Sequence, residues 1–323
     1  MTGIPIDAAA LLDARRFNRK LAWAPRFKIR NRVMPALIQA LLRASQLGGA
    51  AKLVRRGIAV QTMQATADGH TVPVRVLRGA GPVKGVVLDY HGGGWVIGNA
   101  AMDDRQNAAL VEACGLAVVS VDYRLASTTP LAGLMQDCLA AARWLLGGGI
   151  AAFDGLPVFV IGESAGGHLA AAMLLELKAW PALLQRIGGA ILYYGVYDLA
   201  GTPSVHAAGS DTLVLDGPGM ATAMRLLTPD LADAARRAPP LSPLYGSLEG
   251  MPPALMFAGT LDPLRDDTIA MAQRWAGTAG CELHVLPECP HGFIRFPTLL
   301  AERAVARSHA WLRERMAVSA PVP

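Results

Sequence analysis

Hydrophobic and polar positions along this chain alternate between a strand-like and a helix-like pattern. Short apolar runs rich in β-branched residues, such as 85–90 and 157–162, predict buried strands. Longer segments with helical spacing of apolar residues, such as 131–146, follow them. This alternation is typical of an α/β fold with a mostly parallel sheet and helices on both faces. The eight predicted strands are 57–67, 71–77, 85–90, 116–121, 157–162, 190–196, 255–259 and 282–286, and the predicted helices are 102–114, 131–146, 165–177, 266–276 and 299–316.

Two segments depart from this alternation. Residues 5–56 show helical spacing in pieces, with breaks expected at Pro25 and Pro35. Residues 199–240 lack a strand pattern and are rich in glycine and proline, which predicts an inserted, partly helical excursion. We expect the two segments to form a helical cap over the strand ends. The expected division is an N-terminal helical cap segment at 1–56, a main α/β domain at 57–198 and 241–323, and an inserted cap segment at 199–240.

The composition is that of a globular protein with a large core, since 52% of the 323 residues are hydrophobic and 17% are charged. The net charge of +5 is unevenly distributed, because residues 1–56 hold twelve Lys and Arg against two Asp. Aromatic residues are few and no nucleic-acid motif accompanies the basic segment, so we expect no nucleic-acid partner. A solvated helix face is the favoured interpretation of the basic segment, and weak contact with an anionic membrane surface is the alternative.

Charged residues interrupt every apolar stretch well before the roughly 20 residues that a transmembrane helix requires. The first residues contain no basic leader, and Asp7 and Asp13 interrupt their apolar part, so a signal peptide is not expected. The four cysteines form no C-x-x-C pair and lie within apolar runs. Buried free thiols in a reducing compartment are the simplest interpretation, and the expected location is cytoplasmic.

The strongest chemical motif is the segment Val158-Phe-Val-Ile-Gly-Glu-Ser-Ala-Gly-Gly167. A β-branched strand pattern ends at G-x-S-x-G, and a helical pattern follows, which is the strand–turn–helix context of a nucleophile elbow. Gly162 and Gly166 would remove side chains from a strained turn, and Ser164 would stand at the start of a helix. An ordinary Gly-Ser turn before a helix is the alternative when this motif is taken alone.

A nucleophilic serine needs a base, and the base needs an orienting carboxylate. Asp262 lies just past the end of a predicted strand, where sheets of this class place their ligands. Asp266 and Asp267 are rivals for the acid, but they fall within a predicted helix. His291 is the one histidine that lies both downstream of Asp262 and in a loop after a strand, so we predict it as the base.

The sequence His91-Gly-Gly-Gly-Trp95 follows the strand that should neighbour the elbow. Three consecutive glycines allow backbone N–H groups to converge on a developing oxyanion, and we assign this role to Gly93, Gly94 and the N–H of Ala165. We expect His91 to brace the loop. Trp95, which ends the loop, is predicted to contact the substrate. No recognised ligand spacing indicates a metal site, and no cofactor is expected.

Together these motifs resemble the hormone-sensitive-lipase-like esterases (family IV) of the α/β-hydrolase superfamily. The matching segments are 91–95, 122–126, 162–167, 242–244, 262–266 and 291–293. The resemblance implies hydrolysis of a small-molecule carboxylic ester through an acyl-enzyme, with no cofactor and with a cap built from the N-terminal helices and an insertion. It matches Ser164, Asp262 and His291 to the family's triad, and it implies a homodimer formed through the last strand and helix.

Two positions differ from the family pattern. Residues 127–130 read Ser-Thr-Thr-Pro where the family usually has Pro-Glu-His, so a carboxylate near the site is missing. Position 163 is Glu where Asp or Thr is usual, and its simplest interpretation is a structural clasp. Neither difference involves the predicted Ser, His or Asp.

The function predicted from these residues is an esterase for short- to medium-chain acyl groups, because the cap segments are rich in Leu, Met and Ala. An amidase, a thioesterase or an acyltransferase would use the same residues, so these activities stay open. A non-catalytic small-molecule receptor on the same fold is a further alternative, but such a receptor would be expected to lack one of the three residues.

Overall fold

The computed structural model describes residues 3–28 and 33–319 of the chain. In these residues the strands are β1 Ile58–Ala67, β2 His70–Gly79, β3 Val86–Tyr90, β4 Ala117–Val121, β5 Val158–Glu163, β6 Ile187–Tyr193, β7 Ala254–Gly259 and β8 Cys281–Leu286. The α-helices are α1 Ala8–Leu21, α2 Val33–Ser45, α3 Gly49–Arg55, α4 Asp104–Cys114, α5 Leu131–Leu146, α6 Ala165–Leu177, α7 Pro181–Leu184, α8 Pro203–His206, α9 Met220–Leu226, α10 Asp233–Arg236, α11 Arg265–Ala276 and α12 Leu299–Ser319.

The strands form one sheet in the order β1-β2-β4-β3-β5-β6-β7-β8. The pairs β1–β2 and β2–β4 are antiparallel, and the remaining pairs are parallel. This arrangement confirms the predicted mostly parallel eight-stranded sheet. β5 lies in the middle, with Tyr90 of β3 in register with Gly162. The loop after β3 therefore emerges beside the turn after β5.

Helices cover both faces of the sheet, as side-chain alternation along the strands requires. In β5, Val158 and Val160 belong to one core with α5, α6 and α11, whereas Phe159 and Ile161 belong to a second core with α1, α4 and α12. The side chains on both faces of the central strands are thus buried. No helix in the described ranges is long and apolar enough to cross a bilayer.

The predicted range for the sixth strand is 190–196, but β6 is Ile187–Tyr193. Both of its ends lie three residues earlier than predicted. Its early start was hidden by Gly188-Gly189, and a Cβ at Gly189 would lie 2.4 Å from the Trp311 ring of α12. Glycine is thus required here for helix packing rather than for a turn. The strand ends early because Tyr194 has a φ of 38°, which turns the chain out of the sheet.

The predicted helix break at Pro35 is wrong. Pro35 lies in the first turn of α2, where its missing N–H would have had no partner within the helix. The side chains of residues 29–34 lie outside the described part of the structure, and so does the structure of residues 29–32.

The segment 199–240 contributes no strand to the sheet within its described residues and holds the short helices α8, α9 and α10. It contacts the N-terminal segment through a short bridge, in which the Phe27 N–H donates to Val214 and the Asp216 N–H donates to Phe27. The two segments predicted to form the cap therefore meet each other on the structure.

Candidate active site

The turn between β5 and α6 has the geometry of a nucleophile elbow. Ser164 adopts φ 54° and ψ −119°, a strained conformation that a non-glycine residue rarely takes. A Cβ at Gly162 would lie 2.4 Å from the carbonyl oxygen of Gly166, and a Cβ at Gly166 would lie 1.9 Å from that of Tyr90. Both glycines are therefore required, the first by the turn itself and the second by the adjacent loop after β3.

The three residues predicted as nucleophile, base and acid form one hydrogen-bonded row. The Ser164 hydroxyl lies 2.8 Å from Nε2 of His291. Nδ1 of His291 lies 2.8 Å from Oδ2 of Asp262. The Asp262 carboxylate is buried, and its other oxygen accepts a bond from the Leu264 N–H at 2.8 Å. This geometry suits an Nδ1–H donor to the carboxylate and an Nε2 acceptor for the serine proton.

The ends of β7 and β8 bring Asp262 and His291 together. The Leu261 N–H donates to the carbonyl of Cys289, which ties the two loops directly. The approach is so close that a Cβ at Gly259 would lie 1.9 Å from that same carbonyl oxygen. Gly292, next to His291, has a φ of 74°, so it occupies a conformation that favours glycine.

The rival carboxylates bond elsewhere. Asp267 is buried and accepts bonds from the backbone N–H groups of Tyr197 and Asp198, and burial raises its pKa to about 7. Asp266 accepts a bond from the Ser204 N–H. Both side chains therefore hold the base of the 199–240 segment instead of orienting a histidine.

The glycine loop after β3 opens into the same space as Ser164. Gly93 and Gly94 have φ values of 110° and 59°, and a Cβ at Gly93 would lie 2.2 Å from the carbonyl oxygen of Ile97. Trp95 is buried, and its backbone carbonyl accepts a bond from the Ala126 N–H. Ala165 begins α6, where the first N–H groups point out of the helix. Gly94 lines the same cavity as Ser164, and Ala165 follows Ser164 directly.

Two buried histidines near the elbow serve the structure. His91 packs flat on Tyr123, and its Nδ1 lies 2.7 Å from the Gly92 carbonyl. His168 accepts a bond from the Trp95 indole and donates to the Leu241 carbonyl. Burial lowers the pKa of each histidine to about 4, so both are neutral at pH 7. They brace the glycine loop in the neutral form.

A cavity of about 530 Å³ opens onto Ser164, Gly94 and Trp95. Most of its wall is apolar and comes from the segment 199–240, with Phe27 from the N-terminal segment: Phe27, Leu215, Pro218, Met220, Met224, Leu226 and Leu227. Asp216, which also lines the cavity, pairs with Lys28. No group of three or more His, Cys, Asp or Glu residues with a metal-binding arrangement occurs in the part of the chain that the structure describes.

One cluster near the site was not predicted from the sequence. The Arg295 guanidinium binds the carboxylates of Glu163 and Asp103. Tyr194 joins it, because its hydroxyl lies 3.1 Å from Oε2 of Glu163. Glu163 was noted as a difference from the family, but neither Arg295 nor Tyr194 carries a sequence signal of its own.

Comparison with known proteins agrees with this geometry. A family model described as alpha/beta hydrolase fold matches residues 87–295. An ethyl acetate hydrolase from Pseudomonas putida is 34% identical over 247 residues, which cover 73% of this chain and 76% of that protein.

Solved structures give the same result. Esterase LipW from Mycobacterium marinum aligns with a TM-score of 0.82 and 29% identity over 95% of this chain and 97% of its own. An esterase from the bacterial hormone-sensitive lipase family aligns with a TM-score of 0.74 and 25% identity over 97% of this chain and all of its own. The chain is therefore a hydrolase of the serine carboxylesterase type, and it belongs to the hormone-sensitive-lipase-like esterases (family IV) of the α/β-hydrolase superfamily.

Proposed function

We propose that this protein hydrolyses carboxylic esters of short- to medium-chain acids through an acyl-enzyme on Ser164. The observation that carries the proposal is the hydrogen-bonded row of Ser164, His291 and Asp262, in which Ser164 lines the apolar cavity. The esterase relatives named above support the reaction class.

In the first half-reaction, Ser164 Oγ attacks the ester carbonyl while Nε2 of His291 takes its proton. Asp262 accepts the Nδ1–H bond, which fixes the tautomer and stabilises the imidazolium. The tetrahedral intermediate collapses when the imidazolium donates its proton to the oxygen of the leaving group, and the alcohol leaves. Water, deprotonated by the same nitrogen, then attacks the acyl-enzyme. The imidazolium gives this proton to Ser164 Oγ as the acyl–oxygen bond breaks, and the acid is released.

The negative charge on the carbonyl oxygen would be stabilised by the N–H groups of Gly93, Gly94 and Ala165. A preorganised donor of this kind is worth about 3–4 kcal/mol of transition-state stabilisation. The strained φ of Ser164 supports this role, because it holds the hydroxyl at the start of α6, where the N–H groups are exposed.

The apolar cavity supports the choice of substrate. Trp95, at the end of the glycine loop, would form the wall against which the substrate carbonyl is held, and Met220 and Met224 would contact the acyl chain. Two buried methionines give a wall that adapts to chains of several lengths.

The experiment is a steady-state comparison of the wild type, Ser164→Ala and Ser45→Ala with p-nitrophenyl esters from acetate to dodecanoate. We expect Ser164→Ala to lose a factor on the order of 10⁴ or more in kcat, and the exposed Ser45→Ala control to lose nothing. A fluorophosphonate probe should label the wild type and the control alone. Wild-type turnover by Ser164→Ala would refute the mechanism, and a preference for dodecanoate would refute the chain length.

An amidase, thioesterase or acyltransferase would share this row of residues. Matched p-nitroanilides and thioesters, and added alcohols as acyl acceptors, distinguish these activities from ester hydrolysis. A receptor would bind an ester without turnover and would leave the fluorophosphonate unreacted.

We also propose that residues 1–56 and 199–240 act as a cap on an α/β domain formed by 57–198 and 241–323. The Phe27–Leu215 bridge and the shared cavity wall support this division. Phe27→Ala, which truncates a side chain of the N-terminal segment in the cavity wall, should then raise KM and leave the melting temperature nearly unchanged, because α1 and its core contacts are kept. An unchanged KM would argue against the cap.

Weak contact of the cap with an anionic membrane surface is a further proposal. Trp23 is 92% exposed, and Leu37 and Leu41 are also exposed, on a segment that carries a large excess of Lys and Arg. Sedimentation with anionic vesicles, but not with zwitterionic ones, is expected at low salt. Equal sedimentation with both would contradict it.

We propose a homodimer formed through β8 and α12, because β8 is an edge strand of the sheet. Light scattering should give twice the chain mass. A cytoplasmic location is supported by the four free cysteines, and cell fractionation would test it.

A further inference from the structure

A single guanidinium lies at the junction of the three segments that surround Ser164. Arg295 is on the 3₁₀ turn Phe293–Arg295, four residues beyond His291. Its Nε lies 2.8 and 3.1 Å from the two oxygens of Glu163, the residue before Ser164. Its Nη2 bonds to both Glu163 and Asp103. One positive charge thus faces two carboxylates.

Arg295 and its two carboxylate partners lie on three different segments of the chain. Asp103 precedes α4, just after the glycine loop, and is buried. Glu163 also contacts the glycine loop itself, since a Cβ at Gly92 would lie 2.8 Å from Glu163 Oε1. The cluster therefore connects the elbow, the glycine loop and the His291 loop at one point.

Tyr194 connects the cluster to the imidazole. Its hydroxyl donates to Glu163 Oε2, and its ring meets the His291 ring edge to face, with the ring centroids 4.8 Å apart. The same ring packs against Phe293 at 5.5 Å. Tyr194 has a positive φ, so its backbone is held in a strained conformation at this contact.

We propose that Glu163, Arg295 and Tyr194 are positioning residues that hold His291 in line with Ser164. This inference rests on the proposed esterase mechanism. The cavity that would take the substrate is lined by other residues, so these three act through His291 and the elbow. Their removal should lower kcat and leave KM nearly unchanged.

The arrangement also explains why a glutamate fits at position 163. A guanidinium can bind a carboxylate through two parallel bonds, and Glu163 has the reach to bind Arg295 while its second oxygen takes the Tyr194 hydroxyl. Lysine at position 295 would supply the charge but not the planar fork. The proposal therefore predicts that Arg295→Lys has a lower kcat than the wild type, although the charge is kept.

The test compares Glu163→Gln, Glu163→Asp, Arg295→Lys and Tyr194→Phe with a matched control, Glu282→Gln. Glu282 forms a comparably shielded pair with Arg307, but that pair lies between β8 and α12, away from Ser164. Saturation kinetics with p-nitrophenyl butyrate and thermal melts are measured for all of them. A misplacement of about 1 Å costs up to roughly a hundredfold in rate.

We expect Glu163→Gln and Arg295→Lys to lower kcat about 10- to 100-fold, with KM within twofold of the wild type. Tyr194→Phe should lower kcat about tenfold, and Glu163→Asp should recover part of the loss. Glu282→Gln should lower the melting temperature and leave kcat and KM at their wild-type values. If Glu163→Gln does not fold, Tyr194→Phe decides the question, because it removes one hydroxyl and keeps the ring.

Wild-type kcat in the folded variants, or a loss confined to KM, would overturn the proposal. The Ser164→Ala enzyme separates this outcome from failure of the mechanism itself. If Ser164→Ala is inactive while Tyr194→Phe keeps full kcat, the esterase mechanism stands and the positioning role is wrong. If Ser164→Ala keeps its activity, both fail.

Discussion

The buried histidine of α6 predicts how this protein loses stability in acid. Burial of His168 lowers its pKa from 6.5 to about 4. Protonation would add a hydrogen at Nδ1, which accepts the Trp95 indole bond at 3.2 Å. The folded state therefore opposes the charged form, whereas the unfolded chain takes up the proton near the ordinary pKa.

The sign follows from proton linkage. Between pH 6.5 and 4 the unfolded state binds more protons at this residue than the folded state, so stability falls as the pH falls. The stability is fully present above pH 6.5 and is lost as the pH falls through about 4. The size of the shift corresponds to about 3 kcal/mol in total, with a limiting slope of ~1.4 kcal/mol per pH unit. His91 is buried in the same way and adds a loss of the same sign.

The perturbation is His168→Gln, which keeps a donor for the Leu241 carbonyl and removes the titration. Urea unfolding at several pH values from 4.5 to 7.5 gives the free energy of unfolding for each protein. Between pH 7 and 4.5 we expect the free energy of unfolding to fall by about 2–3 kcal/mol less in His168→Gln than in the wild type, because His91, Asp89 and Asp267 titrate alike in both proteins. Met173→Ala, a buried truncation on the same helix, is the control and should shift the whole curve down by about 2–5 kcal/mol without changing its slope. Equal slopes in the wild type and His168→Gln would refute the reasoning.

Three further outcomes follow from the site. In the esterase assay, Gly166→Ala should lower kcat at least about a hundredfold, because its Cβ would lie 1.9 Å from a backbone carbonyl oxygen. Gly81→Ala, the control, places its Cβ in open space and should match the wild type. Met224→Trp should fill part of the cavity of about 530 Å³. The kcat/KM for p-nitrophenyl octanoate, divided by that for p-nitrophenyl acetate, should then fall at least about tenfold. An unchanged ratio would place the acyl chain elsewhere. Burial raises the pKa of Cys289 to about 12, so its thiol should resist Ellman's reagent at pH 8 until urea unfolds the protein, and rapid native labelling would contradict this.

The sheet could be predicted because most of its strands are buried on both faces. β3, β4, β5 and β7 are mostly apolar runs, so their local pattern is sufficient, and their predicted ends agree with the structure within a residue. The predicted range of β6 was three residues too late, because the requirement for Gly189 comes from Trp311, more than a hundred residues away. Such a contact leaves no periodic signal near the strand itself.

The positions of Ser164, Asp262 and His291 could be predicted because parallel strands end at one edge of the sheet. Residues placed just after β5, β7 and β8 must then lie near one another, although nearly 130 positions separate the first from the last. Glycines mark the same places, since the tight turn and the close loops exclude a side chain. Topology and local turn chemistry together thus bring the three residues into one region.

The cavity wall and the Arg295 cluster lack both kinds of signal. Phe27 and Leu215 meet through a pairing between two irregular segments, so no period relates them. Arg295 looks like any surface arginine in the sequence, yet it binds two carboxylates because the elbow and the glycine loop converge on it. A charge that binds two carboxylates at such a junction resists displacement, since moving any one loop would leave a shielded carboxylate without its partner. In this protein the positions of the three residues proposed to react follow from the strand ends, whereas the residues that would fix their alignment depend on contacts that form only when the whole chain has folded.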